Sequence, residues 1–156
     1  MKVISIELAD SAACSADPCW WKRLMSLFLK PGHACEIRCW REEQEIAAKA
    51  LSYGMRAEEA CTRFEVSIRG TLTHSVIHDI LDANRPREAD RMTEFFTITV
   101  ENVVSSEHYG KEIYVFDPTE EVRGQISAIL TPIRQYFILG ESGKSLSGFS
   151  RGASPL

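Results

Sequence analysis

The sequence predicts an α+β (or α/β) domain, a mixed β-sheet of about five strands with an antiparallel hairpin and three to four helices packed on it. Three observations carry this expectation. Phe64, Val66, Ile68, Gly70 and Leu72 alternate with Glu65, Ser67, Arg69 and Thr71, a period of two that fits a half-buried strand. Segments such as Arg41–Tyr53 instead place Ile46, Ala47, Ala50 and Leu51 on one helical face. Two more alternating runs meet across Ser105–Gly110, which reads as a hairpin turn.

In chain order, Lys2–Leu8 alternates with Ile4, Ile6 and Leu8 on one face and reads as a strand. Asp10–Asp17 is small and polar, a loop ending in Asp17-Pro18, a cap followed by proline at the first helical position. Cys19–Lys30 is apolar around most of a helical circumference, with Trp20, Trp21, Leu24, Met25 and Phe28, so it is either deeply buried or turned toward a partner. Pro31-Gly32 ends it. Cys35, Ile37 and Cys39 alternate as a second strand, and Gly54 stops the Arg41–Tyr53 helix. A short helix is expected over Ala57–Arg63, then the strand Phe64–Leu72.

Thr73 caps a helix over His74–Asn84, and Arg85–Arg91 is a charged linker. Glu94–Val104 is expected as one strand and Lys111–Phe116 as the next. Asp117-Pro118-Thr119-Glu120 combines a cap, an early proline and a capping-box acid, so a long helix should run to Leu139, weakened at Gly124 and Pro132. The domain is therefore read as 1–139, with 140–156 a flexible Ser/Gly-rich tail.

At 156 residues, 44% hydrophobic and 26% charged, the chain can bury one core without disulfide or metal staples. No apolar run approaches the roughly 20 residues that cross a bilayer. The start carries Glu7 and Asp10 instead of a basic-then-apolar leader, so a cytoplasmic protein with reduced thiols is expected. Net charge is −4, but residues 88–121 hold nine acids against Arg91 and Lys111, a local sum of −7. Such a field repels nucleic acid and draws basic partners.

The chemical motifs mostly fail on context. Gly140-Glu141-Ser142-Gly143-Lys144-Ser145 resembles part of a phosphate loop, but Ile138 stands where its first glycine must be and no helix-forming stretch follows. No nucleophile-elbow or dinucleotide fingerprint is present. His74, His78 and Asp82 share one helical face and are the candidate metal ligands, though Ser75 occupies the position of a zinc protease's glutamate. Cys35 and Cys39 would lie about 13 Å apart on one strand, too far for one ion, and read as small core residues. A helix-turn-helix reading of Ala57–Ser67 conflicts with the strand alternation of Phe64–Leu72 and with the acidic hairpin.

The expectation is a small acidic cytoplasmic protein-binding protein, an inhibitor or an immunity/antitoxin-type protein that neutralises a basic partner such as a nuclease toxin. Its expected contacts are Glu94, Glu101, Glu107 and Glu112, with Trp20 and Trp21. No catalytic residue, cofactor, nucleic acid or membrane is implied, and oligomeric state is not readable. One alternative is a small enzyme or ligand-binding domain built on the His74, His78 and Asp82 face. Another is a subunit docked through the Trp20–Trp21 helix.

Overall fold

The structure is a computed structural model that describes residues 1–9, 17–82 and 90–143, and the backbone of 154–155. Its strands are β1 (Lys2–Leu8), β2 (Ala34–Trp40), β3 (Met55–Arg56), β4 (Glu65–Thr71), β5 (Thr97–Val100), β6 (Val104–Glu107), β7 (Glu112–Phe116) and β8 (Phe137–Gly143). The backbone of Ser154–Pro155 (β9) adds a two-residue rung to β8. The helices are α1 (Cys19–Met25), α2 (Gln44–Leu51), α3 (His74–Ile80) and α4 (Glu120–Leu130). The strands form one sheet in the order β3-β4-β2-β5-β6-β7-β1-β8-β9.

Every neighbouring pair in that sheet is antiparallel, so the chain is α+β with eight strands among residues 1–143 and not a mixed five-strand sheet. Alternation reveals a strand's faces but is the same for both pairing senses, so the mixed arrangement could not be rejected from sequence.

Three further differences have local causes. The strand expected over Glu94–Val104 divides at Glu101–Val103, where Asn102 adopts φ 59° and lets the chain reverse into β6. The helix expected to reach Leu139 ends at Leu130. Pro132 then sits in a 3-10 turn over Thr131–Tyr136, and Phe137 begins β8. Consequently the proposed boundary at 139 cuts through β8, and Gly140–Gly143 pair with β1. The short helix expected at Ala57–Arg63 is a 3-10 turn over Glu58–Ala60. Residues 10–16, 83–89 and 144–153, which hold most of the expected first loop, charged linker and tail, lie outside the described residues.

Capping follows the sequence more closely. Thr73 accepts from Val76 N at the start of α3, and Thr119 accepts from Val122 N at the start of α4. Asp17 Oδ1 accepts from Cys19 N at 2.8 Å. Asp117 serves elsewhere: at φ 44° it exchanges bonds with Lys2, accepting from Lys2 N through Oδ1 and donating its own N–H to Lys2 O.

All four helices cover one face of the sheet. Beneath them one row of paired residues runs Ile68–Ile37–Ile98–Ser106–Ile113–Ile6–Leu139 across seven strands. The one polar member, Ser106, is 1% exposed and accepts a hydrogen bond from Trp21 Nε1 at 3.0 Å. Leaving a buried indole N–H unpaired costs about 1–3 kcal/mol, which this bond avoids at Trp21, whereas the buried Nε1 of Trp20 has no hydrogen-bond partner among the described residues. Gly110 completes the fit. A Cβ there would lie 2.7 Å from Trp21 Nε1, and its φ of +83° is one that side-chain-bearing residues rarely adopt. Near the opposite end of the sheet Gly54 and Gly70 meet backbone to backbone. A Cβ on Gly54 would approach Arg69 O to 2.1 Å, so only glycine lets the chain leaving α2 cross β4.

Candidate functional site

The other face of the sheet carries no α-helix among the described residues, and only its β4–β2 end is covered, by the 3-10 turn Glu58–Ala60, whose Ala60 O accepts from Arg38 Nη1. Alternation directs Glu36, Arg38, Arg69, Thr99, Ser105, Tyr114 and Ser5 to it, and their pairings form a polar row Arg69–Glu36–Thr99–Ser105–Tyr114–Ser5. The β4–β2 side is charge-balanced. Glu36 pairs with Arg38 at 3.0 Å and Arg69 at 2.9 Å, and Arg69 also reaches Glu59. Burial alone would raise the Glu36 carboxyl, yet the bonds from Arg69 and Arg38 hold it below the usual carboxylate range.

The β6–β7–β1 side is not balanced. Glu107 lies opposite Glu112, and Glu112 lies opposite Glu7, so three glutamates stand side by side on adjacent strands. Like charges directly opposite one another in a sheet are destabilising. Among the described residues no lysine or arginine forms an ion pair with any of the three. Ser105 Oγ donates to Glu107 at 3.1 Å, Tyr114 Oη donates to Glu112 at 3.0 Å, and His108 Nδ1 lies 3.1 Å from Glu112 Oε1.

An aromatic cluster adjoins the row. Phe96 packs edge-on against His108 at 5.5 Å and Tyr109 at 5.4 Å, and its ring centroid lies 4.7 Å from that of Trp40. Arg91 stacks over Tyr109 at 3.7 Å, and Glu43 binds both Arg91 Nη1 and Tyr109 Oη. The turn that presents these rings holds His108, Tyr109 and Gly110 at φ 50°, 59° and 83°. Two non-glycine residues in the left-handed region cost about 1 kcal/mol or more each. Hydrogen bonds from Met92 N and Thr93 N to Tyr109 O, and from Tyr109 N to Phe96 O, hold the turn there.

The residues singled out from sequence are scattered. Glu107 and Glu112 belong to the acidic row. Glu94 is paired with Lys49 of α2 on the helix-covered side, and Glu101 is exposed at the β5–β6 turn. Trp20 and Trp21 are 4% and 1% exposed, so they are core residues and present no surface to a partner. Trp20 packs edge-on against Phe137. His74 and His78 are exposed on α3, which ends at Ile80, two residues before Asp82.

The one set of three His, Cys, Asp or Glu groups among the described residues whose donor atoms all lie within 4.8 Å is Glu107, His108 and Glu112; His74, His78 and Asp82 do not form such a set. A mixed imidazole and carboxylate set could hold a zinc or manganese ion. Cys35 and Cys39 are buried, and burial pushes both thiols up to about 12, so neither is a nucleophile at neutral pH. Sequence reading missed Glu7 and the ring cluster of Trp40, Phe96 and His108. The alternation of β1 does direct Glu7 away from Ile4, Ile6 and Leu8, but only the register places it beside Glu112.

Among the described residues no helix is long and apolar enough to cross a membrane. Comparison with known protein families, curated proteins and solved structures gives no match to this chain.

Proposed function

We propose that this chain is a protein-binding protein that takes up a basic partner on the helix-free face of its sheet, in the manner of an inhibitor or immunity protein. The observation that carries this reading is the row Glu107–Glu112–Glu7 beside exposed His108 and the half-buried rings of Phe96 and Trp40. With strands about 4.8 Å apart, the row extends roughly 10 Å, more than one ion coordinated at about 2–2.5 Å can neutralise. Lysine and arginine side chains of a partner fit it better. Carboxylates supply charge-assisted bonds, and Trp40, Phe96 and His108 supply faces and edges for a guanidinium or its aliphatic stem. A nuclease toxin is the kind of partner that carries such a surface, because it needs cations for its own phosphate substrate.

The test is native mass spectrometry and association kinetics on protein purified gently from its own source. The expected result is a basic polypeptide that leaves at high salt and associates at a rate that falls as salt rises. Charge reversal at Glu7, Glu107 and Glu112 together should slow association by roughly 100-fold, while reversal of the exposed Glu45 should not. The uncharged triple glutamine variant guards against misfolding of the reversed one. A partner that binds both triple variants as fast as the wild type would overturn the proposal, as would a partner without a basic surface.

A further inference from the structure

The acidic row does not stop at Glu7. On β8 the residue paired with Glu7 is Ile138, so the row reads Glu107–Glu112–Glu7–Ile138 across β6, β7, β1 and β8. Leu139 pairs with buried Ile6 on the helix-covered face, and alternation therefore turns Ile138 to the other. There it is 57% exposed, and Glu7 beside it is exposed as well. The next pair along these two strands is Ser5 and Gly140, so Glu7 and Ile138 stand above their small neighbours. The bonds that Ser105 and Tyr114 give to Glu107 and Glu112 come from neutral hydroxyls and leave both charges in place.

One exposed isoleucine is ordinary on a protein surface. Its position in line with three carboxylates extends the charged face into an apolar end, and the row then has a length that can be compared with a partner's. Four side chains on neighbouring strands about 4.8 Å apart span about 14 Å. A helix presents i, i+4, i+7 and i+11 on one face over about 16 Å. A strand presents alternate residues, and four of those take about 20 Å. The helix is long by about 2 Å, which lysine and arginine stems take up, and the strand by about 6 Å, which a short apolar side chain at the row's end does not.

We infer that the partner taken up by this face docks a helix along the row, with lysine or arginine on three successive turns over Glu107, Glu112 and Glu7 and an apolar residue one turn beyond, over Ile138. The inference rests on the basic-partner reading above and adds to it the partner's secondary structure and its apolar anchor. The probe is a helix-stapled, alanine-based peptide with lysine at i, i+4 and i+7 and leucine at i+11. It is titrated at low salt into full-length protein with ¹³C-labelled isoleucine methyl groups.

The expected result is a saturable shift of the Ile138 methyls. Ile138→Ser should weaken the peptide about tenfold, because it removes the apolar surface that the leucine covers. A cyclic β-hairpin peptide of equal charge, with three lysines and a leucine alternating along one strand, should bind at least tenfold more weakly. Ile138 methyls that do not move would overturn the inference, as would equal binding of the hairpin or unchanged binding by Ile138→Ser. The hairpin comparison needs only the wild-type chain, so it decides if Ile138→Ser fails to fold. The triple glutamine variant of Glu7, Glu107 and Glu112 separates the two levels. Peptide binding indifferent to that variant and to salt would remove the basic-partner reading itself, whereas binding that follows the glutamates but ignores Ile138 would remove only the helix and its anchor.

Discussion

Gly110→Ala tests the packing of α1 on the sheet, with Gly32→Ala as its reference. Both glycines have positive φ, +83° and +91°, so alanine at either site incurs the backbone penalty of a left-handed residue, about 1–2 kcal/mol. The surroundings differ. Nothing lies within 4 Å of a Cβ at Gly32, whereas at Gly110 it would meet Trp21 Nε1 at 2.7 Å and Trp21 Cδ1 and Met92 Cβ at 2.8 Å. None of those atoms is the free end of a flexible chain, so helix or turn must move.

Overpacking of this kind costs about 1–3 kcal/mol, and displacing the indole from Ser106 would add the cost of an unpaired buried N–H. The expected loss is about 3–5 kcal/mol for Gly110→Ala against about 1–2 for Gly32→Ala. For a chain of this size that corresponds to a fall in Tm of roughly 6–20 °C against roughly 2–8 °C. Urea unfolding followed by tryptophan fluorescence measures both. Equal losses in the two variants would refute the tight contact between Gly110 and Trp21.

Other outcomes follow from the same geometry. Ser106→Ala removes the acceptor of Trp21 Nε1 and should cost about 1–3 kcal/mol in urea unfolding; no loss would mean that the bond contributes nothing. Iodoacetamide at about pH 8, read by peptide mass, should modify exposed Cys19 in the native protein and leave Cys35 and Cys39 untouched until denaturant is added. Glu36 has a depressed folded pKa, so its contribution to stability is complete above the unfolded glutamate value of about 4.3 and disappears as pH falls through the folded one. The stability gap between wild type and Glu36→Gln should therefore narrow as pH falls from neutral into that acidic range. A gap that does not change with pH would contradict this assignment.

Local chemistry made some residues legible. Strands β1, β2, β4 and β7 follow from alternation within a few residues, and the starts of α3 and α4 follow from Thr73 and Thr119, because caps act over three residues. Cys35 and Cys39 were readable as core for the same reason. β8 was not. As the last strand of full length it turns Glu141 inward, where Arg123 of α4 pairs with it, and this breaks the apolar alternation that would have revealed a strand. The burial of Trp20 and Trp21 was one of two outcomes the apolar helix allowed; Trp21 finds its acceptor on Ser106, 85 positions away, while Trp20 is buried without a hydrogen-bond partner for Nε1 among the described residues.

By itself the sequence determined which residues turn inward on most strands, where two helices begin, and that an acidic excess lies between 88 and 121. The tertiary structure decided that every strand pair is antiparallel and that all four helices lie on one face. It also decided that Glu7, some 100 residues from its neighbours, stands beside Glu112 and Glu107. The division has a physical reason. Alternation and capping are interactions between residues near in sequence, whereas register is set by pairing between distant strands, and a slip of one residue would turn each glutamate to the opposite face.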